Sequence, residues 1–155
     1  MCIVARASSV VAHRLAIPYV IAVLPDHTFA VRPSRIHGNG LFATARIPRR
    51  MKIGELSGVL RPIREANRDH QRRKVIKLVE VDHRWALDCT DGNHFSQLNH
   101  SCQANCYLRI INRRVEVYSL GPIRSGAELT VDYGETMHPD GMGCQCGVPG
   151  CRSRI

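Results

Sequence analysis

A cluster of cysteines near residue 150 constrains the fold of this chain more than any other feature of its sequence. Cys144, Cys146 and Cys151 fall within eight positions, with a C-x-C-x4-C spacing. Zinc in structural sites takes four thiolate or imidazole ligands in a tetrahedron. The spacing therefore predicts a zinc site with three local ligands and a fourth from elsewhere. Flexible or turn-forming residues around the cysteines allow the backbone to fold around an ion, namely Gly143, Gly147, Pro149 and Gly150.

Reactive surface thiols are the competing interpretation of this cluster. The chain has seven cysteines in all, an odd number that cannot pair completely within one chain. No secretory signal is evident, because Arg14 interrupts the apolar run between Val10 and Leu24. A reducing intracellular compartment is therefore expected, and exposed free thiols at this density would be a liability there.

Length and charge narrow the class of protein further. At 155 residues the chain is long enough for one domain with a hydrophobic core and too short for two ordinary ones. Lysine and arginine total 22 against 13 acidic residues, a net charge of +9 that favours polyanions or DNA-associated partners. The longest uncharged part of the N-terminal apolar run is about ten residues, half of the roughly 20 that cross a bilayer. We therefore expect a single domain without a membrane anchor.

Hydrophobic patterning and turn residues predict a mainly β fold with one helix. Residues 62–78 are basic, rich in helix formers and begin with Pro62, which suits a first helical turn. Residues 34–40 are predicted to form a glycine loop between two strands. Further strands are expected at 29–32, at 41–43, around Gly54 and Gly58, at 79–88, in a hairpin of 107–111 with 115–120, and in a segment that runs into Tyr133.

Three motifs follow one another in fixed order in the last third of the chain. Asn99-His100-Ser101-Cys102 comes first, Glu-Leu-Thr-Val-Asp-Tyr occupies 128–133, and the cysteine cluster comes last. Each string arises by chance, but three in this order rarely do. The series resembles a SET-domain protein lysine methyltransferase with a post-SET zinc segment, in a minimal form of bacterial type, and the resemblance covers about residues 31–155.

The resemblance implies both a fold and an activity. The expected fold is mainly β (α+β): several short β-sheets around a knot-like crossing, one main helix in the insert, and a C-terminal zinc segment. The expected organisation is an N-terminal appendage of unknown role at 1–28, the SET domain at 29–136 and the post-SET segment at 137–155. The expected reaction is methyl transfer from S-adenosylmethionine to a lysine of a protein substrate, in the cytoplasm or, in a eukaryote, the nucleus.

The resemblance also assigns roles to individual residues. Tyr133 is expected to be catalytic at the lysine channel. Cys102 becomes the fourth ligand of one structural zinc ion, with Cys144, Cys146 and Cys151, and Cys106 is the competing candidate. The residues expected to contact S-adenosylmethionine are His37, Gly38, Asn39, Gly40, Asn99, His100, Tyr133 and Ile155. Taken without the motif order, the two glycines would indicate a turn, His100 a structural histidine and Tyr133 a packing residue.

Several positions depart from the family pattern. Leu56 stands where many relatives have tyrosine, and Ser96-Gln97 replaces an arginine-phenylalanine pair. Val131 replaces the phenylalanine or tyrosine that often sets the number of methyl groups added. The alternative function is therefore a catalytically weak or inactive zinc module that binds basic proteins or nucleic acid. A small redox protein ranks third, because C-x-C lacks the strand-helix context of a thioredoxin-like motif.

The predicted helix carries a group of cations that we call the basic patch. We interpret it as a surface that faces nucleic acid near the substrate protein. A solvated helix face is the alternative interpretation. The basic patch consists of Arg64, Arg68, Arg72, Arg73 and Lys74.

Overall fold

Two β-sheets and one short α-helix form the regular structure of the described residues. The computed structural model describes residues 2–6, 25, 28–70, 76–134 and 141–155. The helix α1 spans Ile63–His70, and a 3-10 turn spans His94–Gln97. The strands are β1 (Cys2–Arg6), β2 (Phe29–Pro33), β3 (Asn39–Ala43), β4 (Lys52–Leu56), β5 (Val59–Pro62), β6 (Ile76–Glu80), β7 (Trp85–Asp88), β8 (Asn99–His100), β9 (Cys106–Ile111), β10 (Arg114–Ser119) and β11 (Glu128–Val131).

The pairing of β11 brings distant parts of the chain together. The larger sheet has the order β2-β3-β11-β9-β10-β4, and β8 also pairs with β11. β3 runs antiparallel to β11, whereas β8 and the start of β9 run parallel to it. The smaller sheet has the order β1-β6-β7-β5. The segment from β8 to β9 therefore lies along the strand that leads to Tyr133. The predicted mainly β fold is confirmed.

The core forms where apolar residues in β3, β10 and β11, with Ile47 in a bridge to Ile123, are buried between neighbouring elements. Leu41, Ile47, Val115, Val117 and Leu129 have no exposed surface. Burying a side chain of this size stabilises the fold by about 1.5–3 kcal/mol, so these strands are held firmly. The loops that connect these strands are therefore held in fixed positions.

The predicted hairpin forms with a turn one residue shorter than expected. β9 and β10 pair in register from Arg114 opposite Ile111, so Arg114 already belongs to the strand. The two turn residues, Asn112 and Arg113, have φ of 49° and 62°. A two-residue hairpin turn with positive φ at both positions has a backbone twist that matches the right-handed twist of the strands it joins.

Predicted boundaries were wrong at the helix, at the glycine loop and at the strand expected over 79–88, which is divided between β6 and β7 with residues 81–84 outside both. The helix was expected to run to residue 78, but it ends at His70, and Ile76 to Leu78 belong to β6. Apolar residues here pair with β1 and β7, and this tertiary pairing outweighs local helix propensity. The glycine loop was expected to extend through Gly40, but Asn39 and Gly40 already pair with β2.

The N-terminal appendage contributes one described strand. β1 pairs in parallel with β6, from Cys2 opposite Ile76 to Arg6 opposite Glu80. The apolar run at 10–24 lies outside the described residues. Among the helices that are described, none has the length and apolar character needed to cross a membrane.

Gly54 in β4 permits a close contact that supports the functional region. A Cβ at this position would lie 2.2 Å from Cζ of the buried Phe95 ring, in the 3-10 turn that precedes β8. We predict that Gly54→Ala lowers the free energy of unfolding by about 1–3 kcal/mol, because the ring must be displaced from a filled core. Chemical denaturation measures the change.

Gly121→Ala is the matched control for this prediction. A Cβ at Gly121 meets no atom within 4 Å, so its effect should stay within about 0.5 kcal/mol. Equal stability of the two variants would contradict the proposed contact.

Candidate active site and metal centre

The loop between β2 and β3 is held by the buried side chain of Asn99. Its Nδ2 donates hydrogen bonds to the carbonyl oxygens of His37 and Asn39, both at 3.1 Å. The same nitrogen donates to Glu128 Oε1 at 2.8 Å. A carboxamide has two N–H groups, so one of them is shared between two of these acceptors. Asn99 thereby joins the glycine loop to the first residue of β11.

The carboxylate of Glu128 is the second group that holds the glycine loop in place. Ser34 Oγ donates to its carboxylate, with distances of 2.8 and 2.9 Å to the two oxygens. A Cβ at Gly40 would lie 2.2 Å from Glu128 Oε1, so a glycine is needed for this approach. His37, Gly38 and Asn39 stay exposed, which leaves the loop accessible to a ligand.

Asn105 fixes the segment between β8 and β9 against β11. Its Nδ2 donates to the Glu128 carbonyl at 2.7 Å, and its Oδ1 accepts the Thr130 N–H at 2.9 Å. These are the hydrogen bonds that a neighbouring strand would make. The side chain of Asn105 therefore substitutes for backbone pairing where the segment turns.

Tyr133 lies two residues beyond β11 and is 4% exposed. Its hydroxyl donates to the Leu98 carbonyl at 2.7 Å. Burial, with smaller contributions from Cys89 and Glu128, raises the pKa of Tyr133 well above its usual value. The phenol is therefore protonated at neutral pH, where it acts as a fixed hydrogen-bond donor and not as a base.

His100 connects Tyr133 to the cysteine cluster. Burial lowers the pKa of His100, more than the nearby Asp132 carboxylate raises it, so the ring is neutral at pH 7. Nδ1 accepts the backbone N–H of Tyr133 at 3.2 Å. A neutral imidazole carries one proton, which therefore lies on Nε2, 3.3 Å from Cys102 Sγ. His100 thus bridges Tyr133 and Cys102.

The four cysteines of the predicted zinc site converge. Cys102 Sγ lies 3.8 Å from Cys144 Sγ, and Cys146 Sγ lies 3.6 Å from Cys151 Sγ. Zinc–sulfur bonds of about 2.3 Å in a tetrahedron separate neighbouring sulfurs by about 3.8 Å. The donor set and both separations therefore fit a zinc ion. Burial opposes ionisation of Cys146, but surrounding backbone N–H groups and thiols lower its pKa to about 6, whereas burial and the neighbouring thiols raise the pKa of Cys144 to about 12.

Two other residues were candidates for a place in this cluster. The nearest ligand atoms of His100, Cys102, Cys144 and Cys146 all lie within 4.8 Å of one another. Because His100 Nε2 carries its proton toward Cys102, the fourth thiol, Cys151, is the better donor. Cys106 is buried in β9, and its Sγ donates to Asn105 Oδ1 at 3.3 Å; it is not part of this group.

The C-terminal segment 141–155 docks mainly through polar contacts. Arg152 forms an ion pair with Asp132, directly before Tyr133. Gln103 Nε2 donates to the Pro149 carbonyl at 2.9 Å, and the Arg152 N–H donates to Cys102 Sγ at 3.4 Å. Ile155 is the one described residue of this segment that packs against the core. A metal-bound cysteine cluster would therefore supply much of its folding energy.

A narrow cavity of about 20 Å³ lies beside the Tyr133 ring. Most of its lining is apolar and comes from several strands and the 3-10 turn. Leu56 and Val131, two of the positions that depart from the family pattern, both line it. The full lining is Leu56, Lys77, Leu78, Val79, Cys89, Phe95, Ser96, Leu98, Leu108, Val131 and Tyr133.

The sequence prediction missed three residues of this region. Glu128 opens the second motif, but its carboxylate was given no role. Arg152 is one of many arginines, and its contact with Asp132 depends on how the C-terminal segment docks. Lys77 fell within the predicted helix, and its one signal is a charge between the apolar residues Ile76 and Leu78.

The basic patch is described in part. Arg64 and Arg68 are exposed on α1, and Arg68 Nε donates to the Arg64 carbonyl at 3.3 Å. Arg72, Arg73 and Lys74 lie outside the described residues. The role of this patch stays a prediction.

Comparison with curated proteins found relatives that are named histone-lysine N-methyltransferases. The chain is 33% identical over 132 residues to histone-lysine N-methyltransferase set-2 of Caenorhabditis elegans. It is 35% identical over 135 residues to the H3 lysine-4 specific histone-lysine N-methyltransferase of Schizosaccharomyces pombe, and 31% over 134 residues to SETD1A of Homo sapiens. Each match covers 79% of this chain, but the chain spans only 9%, 14% and 8% of these three relatives.

A comparison with protein-family models gives the same class. The model described as "SET domain" matches residues 38–134, which is more than half of the chain. The match begins in the glycine loop and ends one residue after Tyr133, so it contains Asn99, Glu128 and the cavity. The chain belongs to the SET domain family.

Proposed function

We propose that this chain transfers a methyl group from S-adenosylmethionine to the side-chain amine of a protein lysine. One observation carries the proposal. Within a SET domain, Asn99 joins the glycine loop to Glu128, and this junction lies beside the buried Tyr133. The mostly apolar lining at Tyr133 favours contact with the aliphatic stem of a lysine over contact with a polar side chain. The relatives named histone-lysine N-methyltransferases support a lysine-bearing protein as the substrate.

The accessible glycine loop is proposed to hold the cofactor. We propose that exposed backbone at His37, Gly38 and Asn39, held from beneath by the Asn99 carboxamide, contacts the polar amino-acid part of S-adenosylmethionine. We extend this proposed contact surface to the residues predicted from sequence, which also include Gly40, Asn99, His100, Tyr133 and Ile155. When bound, the cofactor supplies an electrophilic methyl group on a cationic sulfur.

The chain must present its substrate amine in the neutral form. A free lysine with a pKa of about 10.4 is neutral in roughly one molecule in 2,500 at pH 7, a cost of about 4.6 kcal/mol. An apolar cavity lowers that pKa by desolvation. The protonated Tyr133 is assigned to alignment of the amine, and the Leu98 carbonyl fixes its orientation. The proton leaves to water.

We also propose one structural zinc ion, bound by Cys102, Cys144, Cys146 and Cys151. The ion would anchor 137–155 as a post-SET segment to the SET domain at 29–136, and it would lie one hydrogen bond from His100. Reduced thiolate ligands imply an intracellular location. A nucleic-acid contact through the basic patch remains part of the proposal.

The competing proposal is a zinc module without catalytic activity. Isothermal titration calorimetry with S-adenosylmethionine separates the two, because the enzyme binds the cofactor saturably and the module does not. Incubation with methyl-labelled cofactor and either core histones or a cell extract then identifies the acceptor protein by mass spectrometry.

The role of Tyr133 is tested by removing its hydroxyl. We predict that Tyr133→Phe retains cofactor binding but lowers kcat by about a hundredfold, because the acceptor amine loses its alignment. Tyr118→Phe is the matched control, since Tyr118 is also buried and its hydroxyl donates to Glu116 at 3.0 Å, outside the cavity. Near-normal turnover of the Tyr133 variant would remove this role.

The metal centre is tested by metal analysis of two cysteine variants. We predict one zinc ion per chain in the purified protein, loss of that zinc in Cys151→Ser and its retention in Cys106→Ser, because only Cys151 lies beside Cys146. Chelation should abolish turnover and leave most far-ultraviolet circular dichroism unchanged, since the sheets do not depend on the segment. Activity that survives complete removal of zinc would contradict the proposal.

A further inference from the structure

The cavity beside Tyr133 contains an amine that belongs to the chain itself. Lys77 lines this cavity, and its Nζ donates to the Ser96 carbonyl at 2.7 Å. The Tyr133 hydroxyl donates to the Leu98 carbonyl, two residues further along. Consecutive Cα atoms are about 3.8 Å apart, so these two residues lie within about 7.6 Å of each other. The Lys77 amine and the Tyr133 hydroxyl are thus held by neighbouring parts of one segment.

Lys77 differs from the other described lysine in having no acidic partner. Lys52 forms ion pairs with Glu116 and Glu55, whereas no salt bridge to Lys77 occurs among the described residues. The titratable group that faces Lys77 is Cys89. Burial raises the pKa of Cys89 to about 12, so this thiol is neutral and supplies no counter-charge.

The surroundings of Lys77 favour the neutral form of its amine, which is the form that can act as a nucleophile. Desolvation by burial lowers the pKa of Lys77. A neutral amine has two N–H groups and one lone pair. The Ser96 carbonyl accepts one N–H and so restrains the nitrogen, while the lone pair remains free to attack a carbon atom.

We propose that Lys77 is itself a methyl acceptor, modified within its own chain when no substrate lysine fills the cavity. The inference rests on the proposed function, because it uses the same cofactor and the same cavity. A bond forms between Nζ and the methyl carbon while the bond from that carbon to sulfur breaks, and its electron pair stays on sulfur. The sulfonium becomes a neutral thioether, and the secondary ammonium product releases one proton to water.

The amino-acid composition makes this modification straightforward to locate. Of the 22 basic side chains only three are lysines, Lys52, Lys74 and Lys77. Trypsin cleaves after an unmodified Lys77, and methylation of Nζ hinders that cleavage. Methylation therefore produces a longer peptide that ends at Arg84.

The experiment incubates the full, zinc-loaded chain with methyl-labelled S-adenosylmethionine and no other protein. We expect label on Lys77 and none on Lys52, which its two carboxylates hold as an ammonium. The fraction labelled per unit time should not change when the protein concentration changes, because the transfer is intramolecular. Label on another lysine, or a rate that rises with protein concentration, would overturn the proposal.

Variants separate this acceptor role from a structural one. Lys77→Arg and Lys77→Met should both lose the label, and Lys52→Arg and Lys74→Arg should keep it. Circular dichroism and calorimetric binding of the cofactor show whether the Lys77 variants are folded. Tyr133→Phe should also lose the label, because the same site performs the transfer.

Failure of this inference is distinguishable from failure of the proposed function. An unlabelled chain that still methylates an added acceptor protein contradicts the role of Lys77 and leaves the function standing. A chain that binds the cofactor and methylates neither itself nor any added protein contradicts both. Methylation of added protein that increases in Lys77→Met, together with label on Lys77 in the unmodified chain, supports competition for one cavity.

Discussion

The carboxamide of Asn99 is the contact on which the rest of the site depends. It is buried, and it joins two carbonyls of the glycine loop to the Glu128 carboxylate. The buried Asn99 carboxamide would be costly to leave without a partner, by about 1–3 kcal/mol. The loop is therefore fixed to β11 by hydrogen bonds and not by apolar burial. Its outer face stays open for a ligand, and its inner face is as rigid as the sheet.

The second constraint runs from Tyr133 through His100 to the cysteine cluster. His100 can accept from Tyr133 and donate to Cys102 at the same time only as the neutral Nε2–H tautomer. The proposed metal centre thus lies two hydrogen bonds from the residue proposed to align the substrate amine. The Arg152–Asp132 ion pair adds a contact between the same two regions. A change in the cluster can therefore move Tyr133 even though none of the four clustered cysteines, Cys102, Cys144, Cys146 and Cys151, lines the cavity.

Sequence patterns predicted the parts of this molecule whose signals are local. The hairpin of β9 and β10 and the spacing of Cys144, Cys146 and Cys151 are examples. The end of the helix was misplaced, because β6 is set by pairing with β1 and β7, which are distant or later in the chain. For the same reason the roles of Glu128 and Lys77 were missed. Their neighbours, Asn99 and Ser96, come from other parts of the sequence, and no local pattern encodes such a contact.

The cavity at Tyr133 sets a condition on any substrate amine. Leu56 and Val131 offer no hydrogen bond, the Leu98 carbonyl is occupied by Tyr133, and the Ser96 carbonyl is occupied by Lys77. Two ammonium groups about 4 Å apart repel by about 4 kcal/mol at an effective dielectric constant of 20. A second charged amine therefore cannot enter at low cost while Lys77 is charged. Under the proposed function, entry of a substrate amine is easiest when one of the two amines has lost its proton or when Lys77 has left the Ser96 carbonyl.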